Sequence, residues 1–140
     1  MTAQLKTVIP RLKAVVGKGE FAFKGDIEKA RKLIANLTAV TKREVALLVL
    51  PDGRTVMRIG GQRTVSSAGA SKVVAHSHPN GFLMLSERVL AGEAADTAVL
   101  AGLKQTETFL VGPAGDLVRW QSPSATWMDD LIGTIINGGN

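Results

Sequence analysis

The chain contains two histidines, and they stand two residues apart in Ala75-His76-Ser77-His78-Pro79. On a strand, residues i and i+2 point to the same face, so both imidazoles can converge on one ion. The apolar run Val73-Val74-Ala75 precedes them and the turn Pro79-Asn80-Gly81 follows, which sets the pair at the open end of a buried strand. That is the chemistry of a metal centre. A catalytic zinc takes three protein ligands and keeps a fourth position for water, so two imidazoles need a carboxylate. The nearest downstream acids are Glu87, Glu93 and Asp96. Water on such a metal becomes a usable nucleophile near neutral pH, and a nearby carboxylate can accept its proton. Glu44 is the candidate for that role, because it opens the apolar run Val45–Leu50, where a charge is out of place unless it faces a cleft. A solvated acid beside Lys42 and Arg43 is the other reading of Glu44, and composition leaves both open.

The elements that must position these groups follow from the hydrophobic pattern. Residues 3–16 read as a short helix interrupted at Pro10, and the glycines at 17, 19 and 25 as a loop with a short extended piece at Phe21–Phe23. Asp26 is an N-cap signal, and Ile27, Ala30, Leu33, Ile34, Leu37 and Val40 follow at helical spacing. The period then changes. Glu44–Leu50, the turn Pro51-Asp52-Gly53-Arg54 and Thr55–Ile59 form a hairpin pattern, which Thr64-Val65 could extend. Lys72–His78 reads as a central strand. Ser86 caps a helix running to about Lys104, Thr108–Val111 and Leu117–Trp120 pair as a second hairpin, and Ser124 or Thr126 caps a last helix burying Trp127, Leu131, Ile132, Ile135 and Ile136. The expected class is α+β, a mixed sheet flanked by helices, in one domain over residues 1–140. Within it lie a basic helical part (1–42), a metal-site core (43–120) and a C-terminal helix (121–140).

Composition narrows the function classes. With no cysteine, disulfides, thiolate zinc sites, a cysteine nucleophile and the Cys-rich centre of nucleotide deaminases are excluded, so any metal is held by imidazole and carboxylate. No apolar run is long enough to span a bilayer, and the N-terminus lacks the apolar stretch of a signal peptide, so a cytoplasmic protein is expected, or a domain delivered into a cytoplasm. The net charge of +5 is uneven: residues 1–43 carry ten Lys/Arg against three acids, the remainder seven against nine. A basic third can face nucleic acid or an acidic partner, but without an aromatic stacking surface a solvated face is the favoured reading.

The order of these features resembles the JAB/MPN metalloprotease superfamily, also called JAMM, and is especially similar to its compact bacterial versions, the RadC-type proteins and the JAB-like domains of polymorphic toxins. The resemblance covers roughly residues 43–120 and rests on Glu44-Val-Ala-Leu-Leu-Val-Leu, a hairpin, then Val-Val-Ala-His-Ser-His-Pro-Asn-Gly. It implies a JAB/MPN-like fold, with a cytidine-deaminase-like layout, and zinc-dependent hydrolysis of peptide or isopeptide bonds. His76 and His78 would be zinc ligands, Glu44 the general acid/base, and Ser86 the residue that assists the oxyanion. The family follows its His-x-His-Pro with Ser-x-x-Asp. Counted from Ser86 the aspartate position holds Val89, so a longer loop ending in Glu93-Ala-Ala-Asp96 is needed, with Asp96 preferred as third ligand and Glu93 second. The implied partners are a protein or peptide substrate and, in a toxin, a cognate immunity protein. A metal-dependent nuclease toxin and a non-catalytic JAB-fold binding module are the alternatives.

Overall fold

The computed structural model describes residues 19–85, 96–127 and, as backbone only, 132–135. Its elements are β1 (Glu20–Ala22), α1 (Ile27–Thr41), β2 (Val45–Val49), β3 (Thr55–Ile59), β4 (Lys72–Ser77), α2 (Asp96–Gly102), β5 (Glu107–Val111), β6 (Leu117–Gln121) and β7 (Ile132–Ile135). The seven strands form one sheet in the order β1-β3-β2-β4-β5-β6-β7. Only β4 and β5 run parallel; every other neighbouring pair is antiparallel. The class is α+β with a mixed sheet.

α1 begins where Asp26 accepts a hydrogen bond from the Lys29 backbone N–H at 2.8 Å, satisfying a donor that the first turn leaves orphaned. It ends at Lys42, whose backbone is left-handed (φ 57°) and whose N–H reaches the Thr38 carbonyl. Ala30, Leu33, Ile34 and Leu37 pack on one sheet face against Val45, Leu47, Met57 and Ala75. Val40, expected in that stripe, is 42% exposed, while Thr38 is fully buried. At 3.6 residues per turn the stripe runs from Ile34 to between residues 37 and 38, and residue 40 has turned off it. The opposite face carries Ala46, Leu48, Val56, Val73, Leu110 and Trp120, covered by Leu85, Leu100 and Trp127. Burial on both faces explains why β2 is a continuous apolar run and not an alternating one.

β4 departs from a regular ladder at two points. Leu48 pairs with Val73 and Leu47 with Ala75, which leaves Val74 as the extra residue of a β-bulge. Val73 and Ala75 therefore face opposite clusters, although two residues apart, and the phase of everything after the bulge is reversed. Near the start of the strand, Gln105 Oε1 accepts from Val73 N, and its Nε2 donates to the carbonyls of Val73 and Glu107. This side chain fills a ladder position where β5 has not yet begun to pair with β4.

Two expectations are corrected. The C-terminal segment is not helical where it is described: Ile132–Ile135 is a strand paired antiparallel to β6, with Trp120 opposite Gly133. A glycine costs a helix interior about 1 kcal/mol relative to alanine, and Ile and Thr favour strands, while β6 would otherwise present an open edge. Trp127 is buried as expected, but its Nε1–H is held by the Gln105 carbonyl at 2.6 Å. Thr64 and Val65 lie in a loop and add no strand. The expected helix at 3–16 and the expected helix start at Ser86 fall outside the described residues; the helix described before Lys104 is α2. No helix among the described residues is long and apolar enough to cross a membrane.

Candidate metal centre

The bulge at Val74 decides the direction of both histidines. It returns His76 and His78 to the sheet face of Val73, where they line one cavity with Glu44, Ala46, Leu48 and Asp96. The His76 and His78 Nε2 atoms are 3.2 Å apart, and Asp96 Oδ2 lies 3.3 Å from each. Three ligand atoms thus form a nearly equilateral triangle contributed by the end of β4 and the start of α2. The ligand atoms of Glu44, His76 and His78 also lie within 4.8 Å of one another. Glu44 and His76 are buried, at 7% and 5% exposure. This buried Glu44-His76-His78 group could bind a metal ion, with Asp96 beside both imidazoles.

The turn after β4 orients His78. Gly81 N donates to the His78 carbonyl, Asn80 Oδ1 accepts from Phe82 N, and Gly81 takes the positive φ of 79°. The curl brings the Phe82 carbonyl to 2.6 Å from His78 Nδ1. A carbonyl only accepts, so Nδ1 carries the proton, and in the neutral ring the Nε2 lone pair points at Asp96 and His76. Burial is the largest influence on His78 and opposes its charged form. It is outweighed by the hydrogen bonds to Asp96 and to the Phe82 carbonyl and by the charges of Asp96 and Glu44, so the pKa is raised above the ordinary histidine value. His76 Nδ1 is buried without a hydrogen-bond partner, so packing and the contacts at Nε2 fix that ring.

Glu44 is set by backbone pairing. Its N–H donates to the Gly61 carbonyl and its carbonyl accepts from Gly60 N. A side chain at Gly60 would meet the Thr64 carbonyl oxygen and come within 2.6 Å of Val65 Cα, so only glycine fits between Glu44 and the loop beyond it. On the opposite sheet face Ser77, between the histidines, bonds Thr38 Oγ1 at 2.6 Å and accepts from Val45 N at 3.0 Å. This buried link ties α1, the first residue of β2 and the end of β4 together directly behind the metal centre.

Of the residues singled out from sequence, the structure brings Glu44, His76, His78 and Asp96 to one place. Ser86, Glu87 and Glu93 lie outside the described residues. Asp96 reaches the centre: its Oδ2 lies 3.3 Å from the Nε2 atoms of both histidines. The supporting residues Thr38, Ser77, Gly60 and Phe82 were not anticipated. Thr38 had a signal, lying four residues after Ile34 on the buried face. A backbone carbonyl such as that of Phe82 has none. Comparison with protein-family models, curated proteins and solved structures finds no match to this chain.

Proposed function

We propose that the protein is a zinc-dependent hydrolase of peptide or isopeptide bonds, built on a JAB/MPN-like core. The observation that carries this reading is the triangle of His76 Nε2, His78 Nε2 and Asp96 Oδ2, with edges of 3.2–3.3 Å. Ligand atoms about 2.0–2.1 Å from a tetrahedral zinc are about 3.3–3.4 Å apart, so the donor set has the size and the chemistry for that ion. The identity of the metal, the reaction and the substrate belong to the proposal, as does a place at the tip of a secreted toxin with a cognate immunity protein.

Bound there, zinc would polarise the scissile carbonyl and make water acidic enough to attack near neutral pH. The chain supplies the rest. Glu44, beside the imidazoles and not needed as third ligand, takes the proton of the attacking water and delivers it to the leaving amine. The His78 ring is locked by the Phe82 carbonyl, so its ligating nitrogen needs no reorientation. Ser86 stabilises the oxyanion in this scheme on the strength of the resemblance alone.

Glu44→Gln separates chemistry from metal binding. The variant keeps the size of the side chain but cannot accept a proton. It is expected to retain zinc and to lose at least about 100-fold in peptidase rate, the lower end of what positioned acid–base catalysis contributes. A zinc-loaded Glu44→Gln protein with parental activity would remove the mechanism, and cleavage of nucleic acid by that protein would replace it with the nuclease alternative.

A further inference from the structure

The cavity at the metal centre has a volume of about 440 Å³, the size of a small-ligand pocket and far more than one ion needs. Its composition changes along its length. Glu44, just before β2, and Ala46 and Leu48 on it line the cavity together, so its floor runs about 13 Å from the Cα of Glu44 to that of Leu48 at strand rise. At the Glu44 end stand the imidazoles and Asp96; at the other end Leu48 lies beside Val73, its partner across the bulge. Leu85, Val99 and Leu100 line the cavity from the segments before and within α2, and Val65 from the loop beyond β3. Away from the metal-centre carboxylates and imidazoles, Arg63 is the only ionisable side chain lining it among the described residues. At the rim, Phe82 and Met84 are 62% and 48% exposed, although large apolar side chains gain by burial.

We propose that this trough is a specificity pocket, which accepts a large apolar side chain (Leu, Met or Phe) of the residue next to the scissile bond. The inference rests on the peptidase reading of the same centre. A charged side chain entering the trough would lose its hydration between Leu48, Val73 and Leu100, and away from the metal centre only Arg63 among the described lining residues carries a charge that could replace it. A glycine would leave the apolar floor in contact with water. A bulky apolar side chain buries both itself and the floor, and Phe82 and Met84 can close over it.

Two measurements test the pocket separately from the reaction. The first is binding of N-acetylated hydroxamates of glycine, leucine and phenylalanine to the zinc-loaded full chain, followed by calorimetry. The hydroxamate anchors each probe at the metal, and no bond need be cleaved. The leucine and phenylalanine compounds are expected to bind at least tenfold more tightly than the glycine one. Val99→Phe, which fills the trough from α2, should abolish that preference while glycine hydroxamate binding stays within a few-fold. Val65→Phe does the same from the opposite loop should the first variant not fold. The second is cleavage of peptides varied at both positions flanking the scissile bond, where Leu or Phe should exceed Gly and Asp in kcat/KM by about 10–200-fold. Equal affinity for the three hydroxamates, or a preference that survives both substitutions, overturns the pocket. Selective hydroxamate binding without cleavage of any peptide overturns the peptidase reading and leaves the pocket standing. A protein that takes up no zinc and binds no hydroxamate overturns both.

Discussion

Asp96 completes the triangle from outside the strand that carries the two histidines, and it makes the sharpest test of the ligand set. Its Oδ2 is 3.3 Å from both Nε2 atoms. Losing a group that merely supports a ligand costs about 10–100-fold in metal affinity, so Asp96→Asn is expected to cost more than that by competition titration with a chelating dye. Glu93→Gln and Glu87→Gln should stay near parental affinity; emptying of the centre by Glu93→Gln alone would transfer the ligand to that residue. His78 makes the pH dependence distinctive. Its pKa is raised in the folded, metal-free protein, so its imidazolium contributes stability that is fully present below the unfolded value of about 6.5 and is lost as pH rises through the folded value. Zinc requires the neutral ring, and its affinity falls as pH drops through the same raised value. Thermal unfolding in chelator and in excess zinc should therefore show contributions of opposite slope just above pH 6.5. Parallel slopes would mean that His78 is not a ligand.

At the scale of elements, the loop between β3 and β4 is held against the start of β2 by Gly60 and Gly61, whose backbones bond Glu44 and Thr64. Gly60→Ala places a methyl group against the Thr64 carbonyl and the Val65 backbone, and backbone cannot yield as a flexible side chain does. The expected cost is about 1–3 kcal/mol, typical of overpacking, accompanied by loss of activity through displacement of Glu44. Urea unfolding gives the first quantity and zinc content the control, since Gly60 touches no ligand. Unchanged stability in Gly60→Ala would show that this loop is not fixed by the glycine. The bulge at Val74 works on the same scale: by reversing strand phase it sends His76 and His78 to the face of Glu44, Ala46 and Leu48.

For the whole molecule, the candidate metal centre joins the end of β4, Asp96 of α2 and the residue before β2, three segments far apart in sequence. A ligand that binds only the folded state stabilises it by about 2.7 kcal/mol at a hundred times its Kd. With roughly 2–4 °C per kcal/mol for a chain near this size, removing zinc by chelation is expected to lower Tm by about 5–10 °C. Scanning calorimetry with and without chelator checks this, and the His76→Ala, His78→Ala double variant should show no chelator effect. An equal shift in the double variant would place the stabilising metal elsewhere.

The sequence determined the local elements and pointed to the residues of the candidate site. Asp26 and the stripe from Ile27 to Leu37 specify α1, the Pro51–Arg54 turn specifies the β2–β3 hairpin, and two histidines at strand spacing before Pro79 mark a candidate metal centre, because each depends on residues a few positions apart. Tertiary structure decided what depends on distant partners. Ile132–Ile135 is a strand because β6 offers an open edge to pair with, and a helical spacing of apolar residues cannot report that edge. Thr38 is buried and Val40 exposed because Ser77 and the sheet lie on one side of α1. The side on which His76 emerges was settled by a bulge that strict alternation does not reveal, and the approach of Asp96 to both imidazoles by where α2 meets the end of β4. Helix and strand periods are written in neighbouring residues; which face of a strand meets which end of a helix is a property of the packed chain.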